Sequence, residues 1–368
     1  MAIRSTILSA VLVASSAAKL PAGGAAEAVC GDANGDTHTD IGDAVYILRW
    51  LFSGGPAPTC PRLACADFNA DGSIDIGDPI GLLGWLFLGS TGPEPLCGGL
   101  ECEAVCDDIR GFTFVDVNEQ CHCEYEHDAS GIRFVLLMGG IFTMGNDDEC
   151  DRDPDEGPRH AVELGAFLIG KYEVTQRQWE AVMGDRPAYF QGGRLPPGVD
   201  SGSLPIEQVS WHDATEFCSR LGLRLPTESQ WEYAARADTT TAFSFGPSIT
   251  PELANYDGTT VYCDGETGEF RRRTVAVDSF DPNPFGLHNV HGNVYEWCED
   301  VHDPGFYETE AANGPDPVAT SGSERRVARG GCFFNHARLC RSSERGPVLP
   351  DTRISHVGFR VVAPLPGD

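Results

Sequence analysis

Two acidic segments near the start of the chain repeat one spacing of oxygen-bearing side chains. Aligning Asp32 with Asp67 gives a period of 35 residues, and in both copies the oxygens recur at loop positions 1, 3, 5, 9 and 12. Calcium takes about six to eight oxygen ligands from such a loop. The ligand side chains would be Asp32, Asn34, Asp36, Asp40 and Asp43 in the first copy, and Asp67, Asn69, Asp71, Asp75 and Asp78 in the second. The repeat therefore predicts two calcium-binding loops.

An apolar segment with helical spacing follows each acidic loop. The apolar positions are Val45, Leu48, Leu51 and Phe52 after the first loop, and Ile80, Leu83, Leu86 and Phe87 after the second. This period predicts one amphipathic helix after each loop. Pro61 and the Gly-Pro run at 54–58 interrupt the chain between the two copies, so the second loop has no preceding helix of its own.

A loop followed by a single helix, present twice and with Asp at loop position 12, resembles the dockerin family. The resemblance implies a small all-α module over residues 29–92 that docks onto a cohesin-like protein partner through its helices. Both copies carry Ile-Gly after the position-9 Asp (Ile41-Gly42 and Ile76-Gly77), where many dockerins have a Ser/Thr pair. A purely structural calcium module is therefore the alternative to a docking module.

Residues 1–28 have the composition of a secretory signal peptide. A single Arg precedes an apolar run from about Ile7 to Ala18, and a stretch of small residues ends at Ala28. The run is too short for a membrane-spanning helix, and no later stretch reaches that length. We therefore expect a secreted or otherwise extracytoplasmic protein without a membrane span.

The chain is strongly acidic, with 55 Asp and Glu against 26 Lys and Arg and a formal net charge of −29. Binding to nucleic acid or to an anionic membrane requires clustered cations that neutralise phosphate groups. We therefore expect neither as a partner. Bound calcium would reduce the net negative charge.

Fourteen cysteines fit an oxidising compartment, and eight of them precede residue 130. An even number of cysteines in a small, loop-rich region predicts a disulfide framework. A four-cysteine zinc site is the alternative, but the spacings do not repeat as C-x-x-C pairs. We therefore predict that residues 93–130 form a disulfide-stapled linker that carries no chemistry.

From about residue 131 the sequence predicts a globular domain with short strands, three helices and long loops. The apolar run at 134–145 predicts a strand or a hairpin. Trp179 and Trp211 each belong to an apolar stripe at helical spacing, so we expect both side chains in the core. Three pairs of residues spaced three apart predict helix starts with capping boxes, namely Thr175 with Gln178, Ser210 with Asp213, and Thr227 with Gln230.

Six phrases in this region occur in the order found in the formylglycine-generating enzyme (sulfatase-modifying factor) family. They are GGIFTMG, YEVTQRQW, PIEQVSWHDATEFCSRLGLRLPTESQWEYAAR, NPFGLHNVHGNVYEWCED, RVARGGCF and VGFRVV. The resemblance covers residues 131–364 and implies an irregular α+β fold related to C-type lectins. It also implies the best-known activity of the family, the copper- and oxygen-dependent oxidation of a sulfatase cysteine to formylglycine.

In this family two cysteines near the C-terminus hold the copper. Two thiolates suit Cu(I), a soft ion, and an open position lets a substrate thiolate join and oxygen react. Cys340 matches the second family cysteine, whereas Asn335 stands at the position of the first. Cys332 stands where active enzymes have a serine. It is a candidate for a displaced second thiolate, and a Cys332–Cys340 disulfide, which would abolish the chemistry, is the alternative.

The same resemblance implies a calcium site in the phrase NVHGNVYEW. The family ligands match the side chains of Asn289 and Glu296 and backbone oxygens near Gly292 and Val294. Hard oxygen ligands within one tight turn suit calcium. A turn that serves packing alone is the alternative. A second family calcium site would begin at Asn255.

Two functions remain open on the sequence alone. The first is an exported oxidase of the formylglycine-generating type that acts on a polypeptide cysteine. The second is a lectin-like binding or scaffolding domain that presents its loops to a protein or glycan, attached to an extracellular assembly through the acidic repeats. Asn335 favours the second, because an amide is a poor Cu(I) ligand. Four arginines are expected to pair with acidic loops, namely Arg338, Arg341, Arg345 and Arg360.

Overall fold

The computed structural model describes residues 48, 106, 108–118, 120, 122–147, 152–263, 265 and 267–365. The predicted signal peptide lies outside the described residues, as do both acidic loops and, except for Leu48, the helices after them. The chain divides into two units, Met1–Leu100 and Glu101–Asp368. All strands that the structure describes lie in the second unit.

In its described residues the second unit is a sheet-rich domain with short α-helices. Strands β1 to β11 are Phe112–Val117, Cys123–His127, Arg133–Leu137, Gly140–Met144, His160–Leu164, Phe167–Gly170, Tyr295–Val301, Arg326–Arg329, Gly346–Val348, Val357–Gly358 and Val362–Pro364. Helices α1 to α3 are Gln176–Met183, Trp211–Leu221 and Glu228–Arg236. The described residues between 237 and 294 contain neither a strand nor an α-helix. No helix in the described part of the chain is long and apolar enough to cross a membrane.

The largest sheet has five strands in the order β1-β2-β3-β6-β11, and each neighbouring pair is antiparallel. The central strands β3 and β6 are almost completely buried, and both have nearly continuous apolar sequences, RFVLL and FLIG. A strand that is covered on both faces needs apolar residues at every position rather than at every second one. The edge strand β1 is mostly exposed.

Two strands of this sheet come from the segment that the sequence predicted to be a linker. Both β1 and β2 lie within residues 93–130, and β2 pairs with β3 along Glu124–Glu126. A disulfide between Cys106 and Cys123 ties the chain ahead of β1 to the start of β2. The prediction missed these strands because they are only six and five residues long. The other six early cysteines lie outside the described residues.

The apolar run at 134–145 forms two strands that do not pair with each other. The first, β3, lies in the five-stranded sheet, whereas β4 pairs with β5 in a separate two-stranded sheet. The chain changes sheets at Gly139 and Gly140, whose φ values are +70 and +123. A Cβ on Gly139 would collide with the backbone oxygen of Leu164, so only glycine fits this crossing.

A four-stranded sheet in the order β10-β7-β8-β9 positions the two segments that the sequence singled out for chemistry. Strand β7 is the continuation of the phrase NVHGNVYEW, and β8 runs directly into Gly330 and Gly331 ahead of the two cysteines. The pairs β7–β8 and β8–β9 are antiparallel, and β10 is parallel to β7. The candidate calcium turn and the cysteine segment therefore start from neighbouring strands.

The three predicted helix starts are confirmed. Thr175, Ser210 and Thr227 are N-caps, and in each case the residue three positions later completes a capping box. The reciprocal hydrogen bonds satisfy backbone donors that have no partner within the helix. Glycine in the left-handed conformation ends α1 and α2.

The tryptophans of α1 and α2 occupy different depths. Trp179 is buried and stacks on Phe217, with ring centroids 5.6 Å apart. Trp211 packs only partly against the same core, since its Nε1 donates to the backbone oxygen of Cys298 at 2.8 Å and Arg326 covers its ring. The core position is confirmed for Trp179, whereas Trp211 lies at the margin of the core.

The four arginines near the C-terminus pair with carboxylates, although two of these carboxylates lie on α3 and β7 rather than on the acidic loops that the sequence predicted. Their partners are Asp153 for Arg338, Glu156 for Arg341, Glu228 for Arg345 and Glu296 for Arg360. The last three pairs are almost completely buried rather than placed on surface loops. Removal of one member of such a pair would leave an uncompensated charge inside the protein.

Candidate functional site

Two glycines bring the C-terminal cysteines together. The chain leaves β8 at Arg329 and passes through Gly330 and Gly331, which have φ values of +90 and +71. A Cβ on Gly331 would lie only 2.7 Å from the Sγ atom of Cys340. Glycine at position 331 therefore leaves the space that this sulfur occupies, directly beside residue 332.

Cys332 and Cys340 are both completely buried, and both are free thiols. The disulfide that the sequence left as an alternative is therefore not formed in this structure. The Cys332 thiol instead donates a hydrogen bond to Oδ1 of Asn335 at 2.9 Å. The Cys332 sulfur therefore lies within hydrogen-bond reach of the position at which the sequence resemblance predicts a family copper cysteine.

Burial raises the pKa of both thiols. The pKa of Cys332 rises to about 12, although backbone hydrogen bonds from Phe334 and Asn335 oppose the rise. The pKa of Cys340 is raised well above its ordinary value, first by burial and then by the charges of Cys332 and Glu344. Both groups are therefore neutral thiols near pH 7, and a metal ion that binds them must displace their protons.

His291 holds the backbone beside Cys340. Its Nε2 accepts a hydrogen bond from the backbone N–H of Ser244 at 3.0 Å, so in the neutral ring Nδ1 carries the proton and donates to the Cys340 backbone oxygen at 2.8 Å. Burial lowers the pKa of His291 to about 4, which keeps the ring neutral. Phe243 and Phe245 pack edge-on against it. This histidine therefore fixes one side of the cysteine segment.

The segment after Cys332 forms a turn, which the Asn335 N–H closes by donating to the Cys332 backbone oxygen at 3.0 Å. Phe333 is buried and packs edge-to-face against Phe190, with ring centroids 5.3 Å apart. Phe334 is 47% exposed. Asn335 is half-buried, and its backbone oxygen accepts from the N–H of Asp257 at 2.8 Å.

The two sulfurs fit Cu(I) better than Asn335 does. Cys332 and Cys340 offer soft donors at one place, and soft thiolates select Cu(I). Asn335 offers an amide oxygen, which is a hard donor and already accepts from Cys332. The residues present therefore suit a two-thiolate site without Asn335.

The candidate calcium turn leads into β7. Gly292, at φ +85, lies against the backbone of Asn255, and a Cβ would collide with the Asn255 oxygen. The buried carboxylate of Glu296 accepts from Nε and Nη2 of Arg360 and from Nε1 of Trp231. A carboxylate offers about four acceptor sites. Glu296 is thus largely committed to these donors and has room for about one more partner.

Asn289 is better placed than Glu296 to bind a cation. Its Nδ2 donates to the buried Glu173 at 2.9 Å, and Nδ2 of Asn293 donates to the other oxygen of the same carboxylate at 2.9 Å. The buried Oδ1 of Asn289 has no hydrogen-bond partner among the described residues. Burial raises the pKa of Glu173 to about 8, and the charge of Glu296 raises it too. The orphaned oxygen fits calcium, together with backbone oxygens near Gly292 and Val294.

Glu173 and Glu207 are two of the buried glutamates that the sequence analysis did not single out. Glu173 joins Asn289 to Asn293, as described above. Glu207 is 0% exposed, with one oxygen accepting from the N–H of Phe190 at 2.9 Å and the other without a partner among the described residues. Burial raises the pKa of Glu207 to about 7. In the sequence, the only sign of their burial is that each is a single acidic residue beside apolar ones. Glu173 lies in YEVT, and Glu207 lies in PIEQV.

Three carboxylates form the acidic cluster nearest the cysteines. Side-chain oxygens of Asp153, Glu156 and Glu344 lie within 4.8 Å of one another. Arg341 binds Glu156 with two nitrogens and reaches Glu344 at 3.4 Å. Burial raises the pKa of Glu344 to about 8, and the charge of Glu156 adds to the rise. The positive charge of Arg341 and the raised pKa of Glu344 therefore offset the negative charge of this cluster.

A known family model and several curated proteins are similar to the described domain. The model of the sulfatase-modifying factor enzyme 1-like domain matches residues 122–365. The formylglycine-generating enzyme of Thermomonospora curvata is 32% identical over 282 residues, which cover 62% of this chain and 92% of that protein. The formylglycine-generating enzyme of Mus musculus is 32% identical over 286 residues, covering 63% of this chain and 75% of that protein.

Two solved structures have the same fold. PvdO from Pseudomonas aeruginosa is 28% identical with a TM-score of 0.53, and the alignment covers 70% of this chain and 98% of that one. Treponema denticola variable protein 1 is 25% identical, also with a TM-score of 0.53, covering 68% of this chain and 98% of that one. These two proteins therefore share the mixed, sheet-rich architecture of this chain.

Proposed function

We propose the function of this chain from its family, since the chain belongs to the sulfatase-modifying factor enzyme 1-like family through residues 122–365. The proposed activity is the oxidation of a polypeptide cysteine to formylglycine. One observation carries it: the Cys332 thiol stands 2.9 Å from Asn335, the side chain at the family's first copper position. The names of the curated relatives support the reaction type.

In this proposal Cys332 and Cys340 hold the copper ion after both lose their protons. Copper supplies a soft centre that binds a substrate thiolate and activates oxygen. Gly331 leaves room for the Cys340 sulfur, and His291 fixes the Cys340 backbone. Asn335 orients the Cys332 thiol until the metal replaces its proton. The buried setting excludes bulk water from the sulfurs.

The reaction balances when an external thiol serves as reductant. The substrate CH₂–SH group loses its sulfur as H₂S and takes one oxygen atom from O₂ to become the aldehyde. The second oxygen atom leaves as water. Oxidation of two external thiols to a disulfide supplies the two electrons and two protons that this step needs.

The test is mass spectrometry of a Cys-x-Pro-x-Arg peptide incubated with the copper-loaded full chain, oxygen and a thiol reductant. We expect the aldehyde product with the native chain and none with Cys332→Ser or Cys340→Ser. Cys218→Ser is the matched control, because Cys218 is also a buried free thiol but lies on α2. No aldehyde from the native chain, or equal yields from all three variants, would refute the oxidase.

The second candidate is a non-catalytic binding or scaffolding domain for a polypeptide or glycan. The observation that favours it is the complete burial of both sulfurs together with an amide in place of the first family cysteine. This candidate predicts that the native chain neither binds Cu(I) nor forms aldehyde. Competition for Cu(I) with a chromophoric chelator separates the two candidates without relying on turnover.

We further propose that the chain is exported and that the acidic repeats bind calcium and attach the domain to a cohesin-like partner. The regular spacing of ten oxygen-bearing side chains supports the calcium proposal. Calorimetric calcium titration of the chelator-treated full chain tests it. We expect the Asp32→Asn/Asp67→Asn double variant to lose most of the heat of binding. Asp351→Asn, at an exposed carboxylate, is the control, and identical titrations of all proteins would exclude calcium loops here.

A further inference from the structure

A cavity of about 240 Å³ lies beside the first turn of α1. Seven polar side chains line it, namely Gln176, Arg177, Glu180, Arg186, Gln191, Asp200 and Ser201. None of them belongs to the cysteine segment or to the candidate calcium turn. Pockets for drug-sized ligands start at about 300 Å³, so this one suits a single small ring or residue.

Gln176 presents an unpartnered acceptor in this cavity. The residue is only 9% exposed, and its Nε2 donates to the backbone oxygens of Phe190 at 3.1 Å and Pro205 at 3.5 Å. Two carbonyl partners fix the orientation of the amide. No donor among the described residues reaches Oε1, and this oxygen is not among the fully buried atoms without a partner, so water can reach it. A ligand donor would satisfy this atom.

Two ion pairs form the accessible part of the cavity wall. Arg177 binds Asp200 and Arg186 binds Glu180, each at 2.5 Å, and all four side chains are at least 40% exposed. The positive and negative charges on the wall cancel. Such a wall offers closely spaced donors and acceptors but no net charge to attract an ion.

We propose that this cavity binds one neutral monosaccharide unit of a glycan. Neighbouring hydroxyl groups of a sugar both donate and accept, so they match Gln176 Oε1, the guanidinium groups and the carboxylates at once. The usual modes of peptide recognition need a free sheet edge, an apolar groove or an unpaired charge cluster. Ala188 and Ile206 are the only apolar side chains in the lining, which disfavours a peptide.

A pair of glycines allows a controlled test. A Cβ on Gly202 would lie 2.9 Å from Nη2 and 3.0 Å from Nε of Arg177, so Gly202→Ala moves the guanidinium away from its present position. Gly193 lies in the neighbouring segment, and a Cβ there meets nothing within 4 Å. Neither glycine has a positive φ, so alanine fits the backbone conformation at both positions. Gly193→Ala is therefore the matched control, and Arg177→Ala removes the guanidinium outright.

The experiment is saturation-transfer-difference NMR of the full chain with methyl mannoside, methyl galactoside and N-acetylglucosamine, followed by titration of any binder. Glucuronate, glucosamine and a capped alanine tetrapeptide are the comparison probes. A single sugar in a small polar site binds with a Kd on the order of 1 mM. We expect binding of at least one neutral sugar, about tenfold weaker in Gly202→Ala and Arg177→Ala and unchanged in Gly193→Ala.

Binding of the peptide or the charged sugars alone would overturn the proposal, as would neutral-sugar binding that is equal in all four proteins. Absence of any signal would overturn it too. Thermal unfolding of each variant distinguishes loss of the site from loss of the fold. The proposal is independent of the oxidase, because neither Cys332 nor Cys340 lines the cavity.

Discussion

The thiol of Cys332 donates a hydrogen bond to the side-chain oxygen of Asn335. The two residues are three positions apart, and their side chains meet because Asn335 N donates to the Cys332 oxygen and closes a turn. A thiol thus lies within about one hydrogen-bond length of the position that the sequence resemblance assigns to a family copper cysteine.

This relationship predicts the outcome of a cysteine swap. The double variant Cys332→Ser/Asn335→Cys moves the thiol back to the family position. We expect it to retain Cu(I) affinity within about tenfold of the native chain, because the number of soft ligands stays at two. Cys332→Ser alone should lower the affinity by more than about 100-fold, beyond the effect of an outer-shell change.

The measurement is competition with a chromophoric Cu(I) chelator under anaerobic conditions. Cys298→Ser is the control, since Cys298 is buried and free but lies on β7. Equal affinity of the native chain, the swap and Cys332→Ser would show that position 332 does not bind the metal.

His291 should control the reactivity of Cys340. His291→Phe keeps a ring in the aromatic cluster but leaves the Cys340 oxygen and the Ser244 N–H without their buried partner, at a cost of about 1–3 kcal/mol for each group. We expect lower stability in urea and faster alkylation of Cys340 by iodoacetamide, followed by peptide mass spectrometry. His291→Asn can still donate to the Cys340 oxygen and should restore slow alkylation. Unchanged alkylation in His291→Phe would contradict this role.

The buried Arg360–Glu296 pair should be costly to break. Arg360→Met leaves the Glu296 carboxylate buried without its cation, which typically costs about 3–5 kcal/mol. Arg353→Met is the matched control, because Arg353 binds Asp213 with its own side chain 53% exposed, and such pairs contribute about 0–1 kcal/mol. Urea unfolding followed by tryptophan fluorescence measures both. A similar loss of unfolding free energy in the two variants would mean that breaking a buried pair costs no more than breaking an exposed one.

Glu207 should make the domain less stable as the pH rises. Burial raises its pKa from 4.5 to about 7 in the folded chain, although backbone hydrogen bonds from Phe190 and Tyr189 and the charge of Arg194 oppose the rise. Between these pH values the folded state holds a proton that the unfolded state has released. The free energy of unfolding therefore falls with increasing pH across this window, by on the order of 3 kcal/mol in total.

The comparison is urea unfolding of the native chain and Glu207→Gln at several pH values between 4.5 and 8. The variant cannot ionise, so its stability should decline less over the window, and the two curves should diverge above about pH 5. Raised pKa values are also found for Glu173, Glu344 and Asp300. Their titration changes the free energy of unfolding with pH by the same amount in both proteins. Parallel curves would mean that Glu207 does not titrate in this range.

Local signals in the sequence predicted the helix starts and the family. A capping box needs only residues three positions apart, so Thr175, Ser210 and Thr227 are readable from the chain itself. The ordered phrases likewise identified the domain and the segment with Cys332 and Cys340. The net charge and the acidic repeat, which depend on composition and spacing alone, gave rise to the expectations for partners and calcium.

Contacts between distant parts of the chain were decided only by the tertiary structure. Arg341 and Glu156 are 185 positions apart, and Asn289 and Glu173 are 116 apart, so no local period links them. The places of β1 and β2 in the five-stranded sheet likewise follow from pairing, since β2 pairs with β3 and β1 pairs with β2. The sequence determined which residues were available for chemistry. Packing determined which thiols remain free, which carboxylates are neutralised by arginine and which buried oxygens have no partner.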